Sequence, residues 1–125
     1  MNRDRLDEMF SLRESFMKSL RQKNPNISPA WPVDLGDKES QQHIRDMALR
    51  GVEEMFEALQ HLKNWKPHRS TEVKDFSREE FLEEIVDAFN YFLSVLVLVG
   101  VSSEELFDAY EKKDKIIRER VKSGY

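Results

Sequence analysis

The chain has 125 residues, with 24 acidic and 20 basic side chains and a formal net charge of −4. It is long enough for one domain with a core and too short for two ordinary ones, and its near-balanced charge provides no basic field to draw in a nucleic acid polymer. The absence of cysteine excludes a disulfide scaffold or a thiolate metal site.

In chain order, residues Asp4 to Leu20 place Leu6, Met9, Phe10, Phe16, Met17 and Leu20 at helical spacing without glycine or proline, which predicts a first helix. The stretch "NPNISPAWPVDLGD", Asn24 to Asp37, holds three prolines and a glycine and reads as an extended loop, with Trp31 as an anchor for docking it on the helices. Asp37 is a predicted N-cap for a second helix that carries Ile44, Met47, Ala48, Gly51, Met55, Ala58 and Leu62 and stops before Pro67. Gly51 and Ala58 lie on its apolar side, where a neighbouring helix can come close.

Ser77 followed by Glu80 is a capping-box pattern for a third helix, Arg78 to Val99, with Gly100 as its stop. Ser102 with Glu105 repeats the pattern and opens a fourth helix through Leu106, Phe107, Tyr110, Ile116 and Ile117. The expected fold is an all-α four-helix bundle forming a single domain over residues 1–125. The longest apolar run, Phe92 to Val101, is about half the ~20 residues a membrane span needs, and acidic residues flank it. It therefore reads as a core helix. With no basic-then-apolar leader among these residues, a cytoplasmic location is expected.

Acids head that apolar helix in "FLEEIVDAF". Residues three apart on an α-helix differ by roughly 60° around the axis and ~4.5 Å along it, so both side chains reach one point beside the helix. Glu54 and Glu57 have this spacing on the second helix, and Glu84 and Asp87 have it on the third. If these helices lie antiparallel, four carboxylates converge. Such a cluster requires cations, and an all-oxygen donor set suits Mg²⁺ or Mn²⁺ rather than zinc. Divalent ions held this way clamp phosphate oxygens and activate water. Taken singly, each acidic pair is also an ordinary solvated helix face.

"VEEMFEAL" followed by "LEEIVDAF" resembles the E-x-x-E and E-x-x-D signature of the all-α nucleoside triphosphate pyrophosphohydrolases, the MazG-like and dimeric dUTPase superfamily. "QHLKNWKPH" is similar to the Lys-x-Trp segment of dimeric dUTPases, and "GVSSEELFDAYEKKDKIIRERVKSGY" to their closing segment. The resemblance covers Val52 to Tyr125. It implies hydrolysis of a nucleoside triphosphate to the monophosphate and pyrophosphate by a homodimer or homotetramer. It also implies a role in a cellular or phage nucleotide pool, in the host cytoplasm if phage-encoded.

By position, Glu54, Glu57, Glu84 and Asp87 would hold Mg²⁺, with Glu54 orienting or deprotonating the attacking water. Lys63, Lys66, His68, Arg69, Lys113, Asp114, Arg118, Arg120 and Tyr125 are the substrate-binding candidates. Trp65 either packs on the base or sugar or closes the core at the helix end. His61 and His68 lack metal-ligand spacing and read as surface residues, although His68 and Arg69 are in a loop that can reach phosphate.

Dimeric dUTPases carry a Leu-Gln-x-x-Leu-Asn segment whose amides serve uracil recognition. Here the stretch is Leu12-Arg13-Glu14-Ser15-Phe16-Met17, with Arg13 and Phe16 as the base-proximal candidates. In the last helix, two asparagines and a glutamine of the family pattern are likewise replaced. An amide offers a base edge both a donor and an acceptor, which isoleucine and valine do not. dUTP is the first expected substrate, with dCTP, dGTP or several dNTPs close behind. The alternative is a non-catalytic helical interaction or regulatory module with structural acids.

Overall fold

In the computed structural model, which describes residues 4–124, each of four helices begins at a side chain that accepts an otherwise unpaired backbone N–H. Asp4 accepts from Leu6 at 2.8 Å and opens α1, Arg5–Lys23. Asp37 accepts from Ser40 at 3.1 Å and opens α2, Lys38–Leu59. Ser77 accepts from Glu80 at 3.2 Å before α3, Arg78–Leu98, and Ser102 accepts from Glu105 at 3.1 Å before α4, Ser103–Ser123. These caps fill donor positions that a helix cannot satisfy itself, and they match the starts expected from sequence. No strand occurs among the described residues, so the fold class is all-α.

The helix ends depart from expectation by a few residues. α1 runs three residues past Leu20, and the Asn24 N–H closes it on the Leu20 carbonyl at 2.9 Å. α2 stops at Leu59 instead of continuing to Leu62. There the Gln60 N–H is shared between the Phe56 and Glu57 carbonyls, and His61 and Leu62 donate to Ala58 and Leu59, three residues back. Three-residue closures of this kind tighten the last turn and release the chain from the α-helix.

At the end of α3, Gly100 adopts φ +80°. Its N–H bonds Val97, and the Val101 N–H bonds Leu96, the two-bond arrangement that left-handed glycine caps provide.

The chain divides into two compact units. One joins the chain up to Val33 with the chain from Leu96 onward. In it α1 packs against α4, Phe10 and Met17 are buried two turns apart on α1, and Ser103 donates to the Asp7 carboxylate. Trp31 docks the proline-rich loop as expected: its indole N–H donates to Glu14 at 3.0 Å, and the neighbouring Val33 N–H donates to the Leu98 carbonyl at 2.7 Å.

The other unit, Asp34–Val95, holds α2 and most of α3. Its buried residues include Gly51 and Ala58 on α2, and Ala88, Leu93 and Ser94 on α3. Gly51 faces the ring of Phe92, while Glu54 approaches Asp87 and His61 approaches Glu84. As numbers rise on α2 they fall on α3, so the two helices are antiparallel. No single helix among the described residues is long and apolar enough to cross a membrane.

Candidate metal centre and adjoining cleft

The antiparallel register of α2 and α3 brings acids from both helices to one point. Glu54, Glu84 and Asp87 each offer a carboxylate oxygen, and these three oxygens lie within 4.8 Å of one another. Glu54 and Glu84 are half-buried, and Asp87 is exposed.

Partial burial is the first cause that raises the Glu54 carboxyl above its ordinary value, followed by the charges of Asp87, Glu57, Glu84 and Glu53. Both causes disfavour the ionised form. A divalent cation would reverse the second of them, and an oxygen-only donor set with this much negative charge fits a hard ion. Three of the four expected acids therefore form a group able to hold a metal.

Glu57 lies outside that group. It is exposed and, with Glu84, lines a cleft of about 690 Å³ beside the acids. The ~60° between residues three apart lets Glu57 turn to the cleft while Glu54 turns to α3. The cleft continues along 60–77, the connection between the helices, past Lys63, Asn64, Trp65 and Phe76. Trp65 is 68% exposed, so it presents its ring rather than closing the core.

The connection is held in shape locally. The Asn64 side-chain nitrogen donates to the Thr71 carbonyl at 2.7 Å and to its hydroxyl at 3.2 Å, and Phe76 meets Phe81 with ring centroids 5.7 Å apart. Asp75, with φ +57°, also lines the cleft.

His61 is placed differently from expectation. Its Nε2 lies 3.9 Å from a Glu84 oxygen, and both side chains are half-buried, so it borders the acidic group instead of standing on open surface. It sits in the turn just past the end of α2, where its N–H bonds the Ala58 carbonyl.

The remaining candidates divide between the two units. Lys66, His68 and Arg69 are exposed on the 60–77 connection and do not line the cleft. Lys113, Asp114, Arg118 and Arg120 are on α4 in the other unit. There the Arg118 Nε donates to Asp114 at 2.7 Å, one helical turn away, and this bond holds the guanidinium above its ordinary value. Arg13 lies over the Phe16 ring at 4.8 Å, a cation–π contact on α1. Tyr125 falls outside the described residues.

No protein-family model matches the chain, and no solved structure matches it significantly. Two curated proteins are similar to it. Both are named dCTP pyrophosphatase. That of Enterobacteria phage LZ5 is 32% identical over 71 residues, 49% of this chain and 41% of the relative. That of Enterobacteria phage T4 is 34% identical over 70 residues, 50% of this chain and 41% of the relative. The matched part spans about two fifths of the length of these relatives.

Proposed function

We propose that residues 1–125 act as a single domain of the MazG-like and dimeric dUTPase type, a Mg²⁺- or Mn²⁺-dependent enzyme that hydrolyses a deoxynucleoside triphosphate to the monophosphate and pyrophosphate. The observation that carries this reading is the meeting of Glu54, Glu84 and Asp87 oxygens within 4.8 Å across two helices. The likeness to two dCTP pyrophosphatases supports the same chemistry and moves dCTP ahead of dUTP as the substrate. The replaced amides at Arg13 and in α4 point the same way, since they are the groups the resemblance associates with uracil.

Glu54, Glu84 and Asp87 would hold the cation, with Glu57 at the edge of the set. When bound, the ion supplies charge neutralisation at the triphosphate and makes water more acidic. Glu54 would also orient the attacking water and accept its proton. Lys63, in the cleft that Glu84 also lines, offsets phosphate charge as the triphosphate enters. Trp65 gives the base or sugar an apolar face. Lys66, His68 and Arg69, on the same connection as Lys63 and Trp65, are further phosphate contacts on this reading.

The proposal includes a homodimer or homotetramer in the cytoplasm, that of the host if the protein is phage-encoded. Exposed Leu49, Val52, Phe56 and Leu59 on α2, and Leu82, Val86 and Phe89 on α3, form stripes at helical spacing that a second copy would cover. These stripes also favour the alternative of a non-catalytic interaction module, but that alternative has no use for three acids gathered from two helices.

The deciding experiment is incubation of the pure protein with Mg²⁺ or Mn²⁺ and each dNTP, dUTP included, with pyrophosphate and monophosphate measured. Release of both from at least one dNTP is expected. No release from any of them sinks the enzyme and leaves the interaction module.

A further inference from the structure

We infer that Asn64 selects the base, by accepting a hydrogen bond from an exocyclic amino group and so favouring cytosine over uracil. The inference rests on the proposed pyrophosphohydrolase activity and deepens it.

Asn64 lines the same cleft as Glu84 and Trp65. At about 690 Å³ this cleft lies within the roughly 300–1,000 Å³ range of small-molecule sites. A nucleotide whose triphosphate is at the acids therefore has room to carry its base to Trp65, and a base stacked there puts its edge beside the preceding residue.

Asn64 is a fixed reader rather than a free amide. Its side-chain nitrogen donates to the Thr71 carbonyl at 2.7 Å and to the Thr71 hydroxyl at 3.2 Å. A carbonyl oxygen only accepts, so the nitrogen is the end that faces Thr71, and the amide cannot turn over without losing that bond. The oxygen is left as the group Asn64 presents to a ligand, and it too only accepts.

Cytosine carries an amino donor at the position where uracil carries a carbonyl acceptor. Against a fixed acceptor, the first makes a hydrogen bond and the second sets two oxygens against each other. Elsewhere in the lining, Asp75 and Glu80 are further acceptors, Lys63 and Lys74 are suited to phosphate oxygens, and Gln60, His61 and Ser77 can donate as well as accept, so the fixed Asn64 oxygen is what tells the two bases apart. The residue that anchors the loop therefore also determines which pyrimidine the cleft prefers.

The test compares kcat/KM for dCTP, dUTP and 2′-deoxyzebularine 5′-triphosphate, a cytosine analogue with hydrogen in place of the amino group, in the wild-type protein and in Asn64→Ala. A single well-placed hydrogen bond should give the wild type a preference of about tenfold or more for dCTP over both others. Asn64→Ala should bring the three values to within a few-fold of one another. Loss of the loop anchor alone would slow all three substrates equally and leave the preference in place, and that result overturns the inference.

Equal turnover of dCTP and the analogue by the wild type also overturns it, and needs no variant to fold. Turnover without preference defeats the inference while the enzyme reading stands. No turnover of any dNTP defeats both.

Discussion

Gly51 on α2 lies against the ring of Phe92 on α3, so closely that a Cβ at position 51 would stand 2.9 Å from Cε1 and 3.0 Å from Cζ. Glu54 is the next turn of α2, and Asp87 is little more than one turn before Phe92, so this contact sets the helix separation where the carboxylates meet. Gly51→Ala should change stability by no more than about 1 kcal/mol. Alanine's gain in helix propensity opposes the clash, and the Phe92 ring, 37% exposed, has room to turn. Gly51→Leu should cost about 1–3 kcal/mol through overpacking and should weaken divalent-cation binding by separating the acids. Urea denaturation and Mn²⁺ titration measure the two effects. Wild-type behaviour of Gly51→Leu in both would show that this contact does not set the spacing.

The four acids should not be equivalent. Glu84→Gln and Asp87→Asn each replace a charged carboxylate of the group within 4.8 Å by a neutral amide and should lower Mn²⁺ affinity by about 100-fold or more, beyond the ~10–100-fold typical of losing an outer partner. Neither residue belongs to the buried core, so circular dichroism should show both variants folded. Glu57 stands outside the group, and Glu57→Gln should cost about tenfold or less. Calorimetric titration of the three variants provides the ranking. A loss at Glu57 equal to that at Glu84 would put it among the ligands.

The helix starts were legible because Asp4, Asp37, Ser77 and Ser102 are residue types whose short side chains bond the backbone two or three residues ahead. The end of α2 was not. Its exit uses backbone closures at Gln60, His61 and Leu62, and no glycine or proline marks the spot. Spacing pointed to an acidic cluster, since three residues between carboxylates is a local property of a helix. Which three of the four acids meet depends on how α2 is rotated against α3. That is a tertiary matter, set where Gly51 receives Phe92. His61 was misplaced for a related reason: its nearness to Glu84 requires the partner helix. The role of Asn64 depends on its tie to Thr71 across the connection, and no spacing rule signals that tie.

The turn between α3 and α4 gives a prediction independent of the site. Gly100 is at φ +80°, and a Cβ there would stand 2.9 Å from the Pro32 Cβ. Gly100→Ala therefore meets both backbone strain and a carbon in a stiff ring, and should destabilise by about 1–3 kcal/mol. Ser102→Ala loses the acceptor for the Glu105 N–H and should cost about 1 kcal/mol, whereas Ser102→Asp should keep most of the stability. Denaturation curves test the series. An unchanged midpoint for Gly100→Ala would mean that the turn is not held as described.

Glu54 links the metal centre to pH. Its carboxyl is raised in the folded protein, first by partial burial and then by Asp87, Glu57, Glu84 and Glu53. Between the ordinary carboxylate value and this raised value, the folded state holds a proton that the unfolded state has released. Stability therefore falls as pH rises through that window, and the deficit persists above it. A bound cation has the opposite dependence, because its ligands must be ionised, so stabilisation by Mn²⁺ or Mg²⁺ should grow as pH rises. Glu54→Gln cannot ionise. Without added metal its Tm should fall less than that of the wild type between about pH 4 and about pH 8, and added metal should raise it less. Thermal scans of both proteins across that range, with and without Mn²⁺, separate these effects. Parallel pH slopes in wild type and Glu54→Gln would mean that the carboxylates around Glu54 do not act on it as a group.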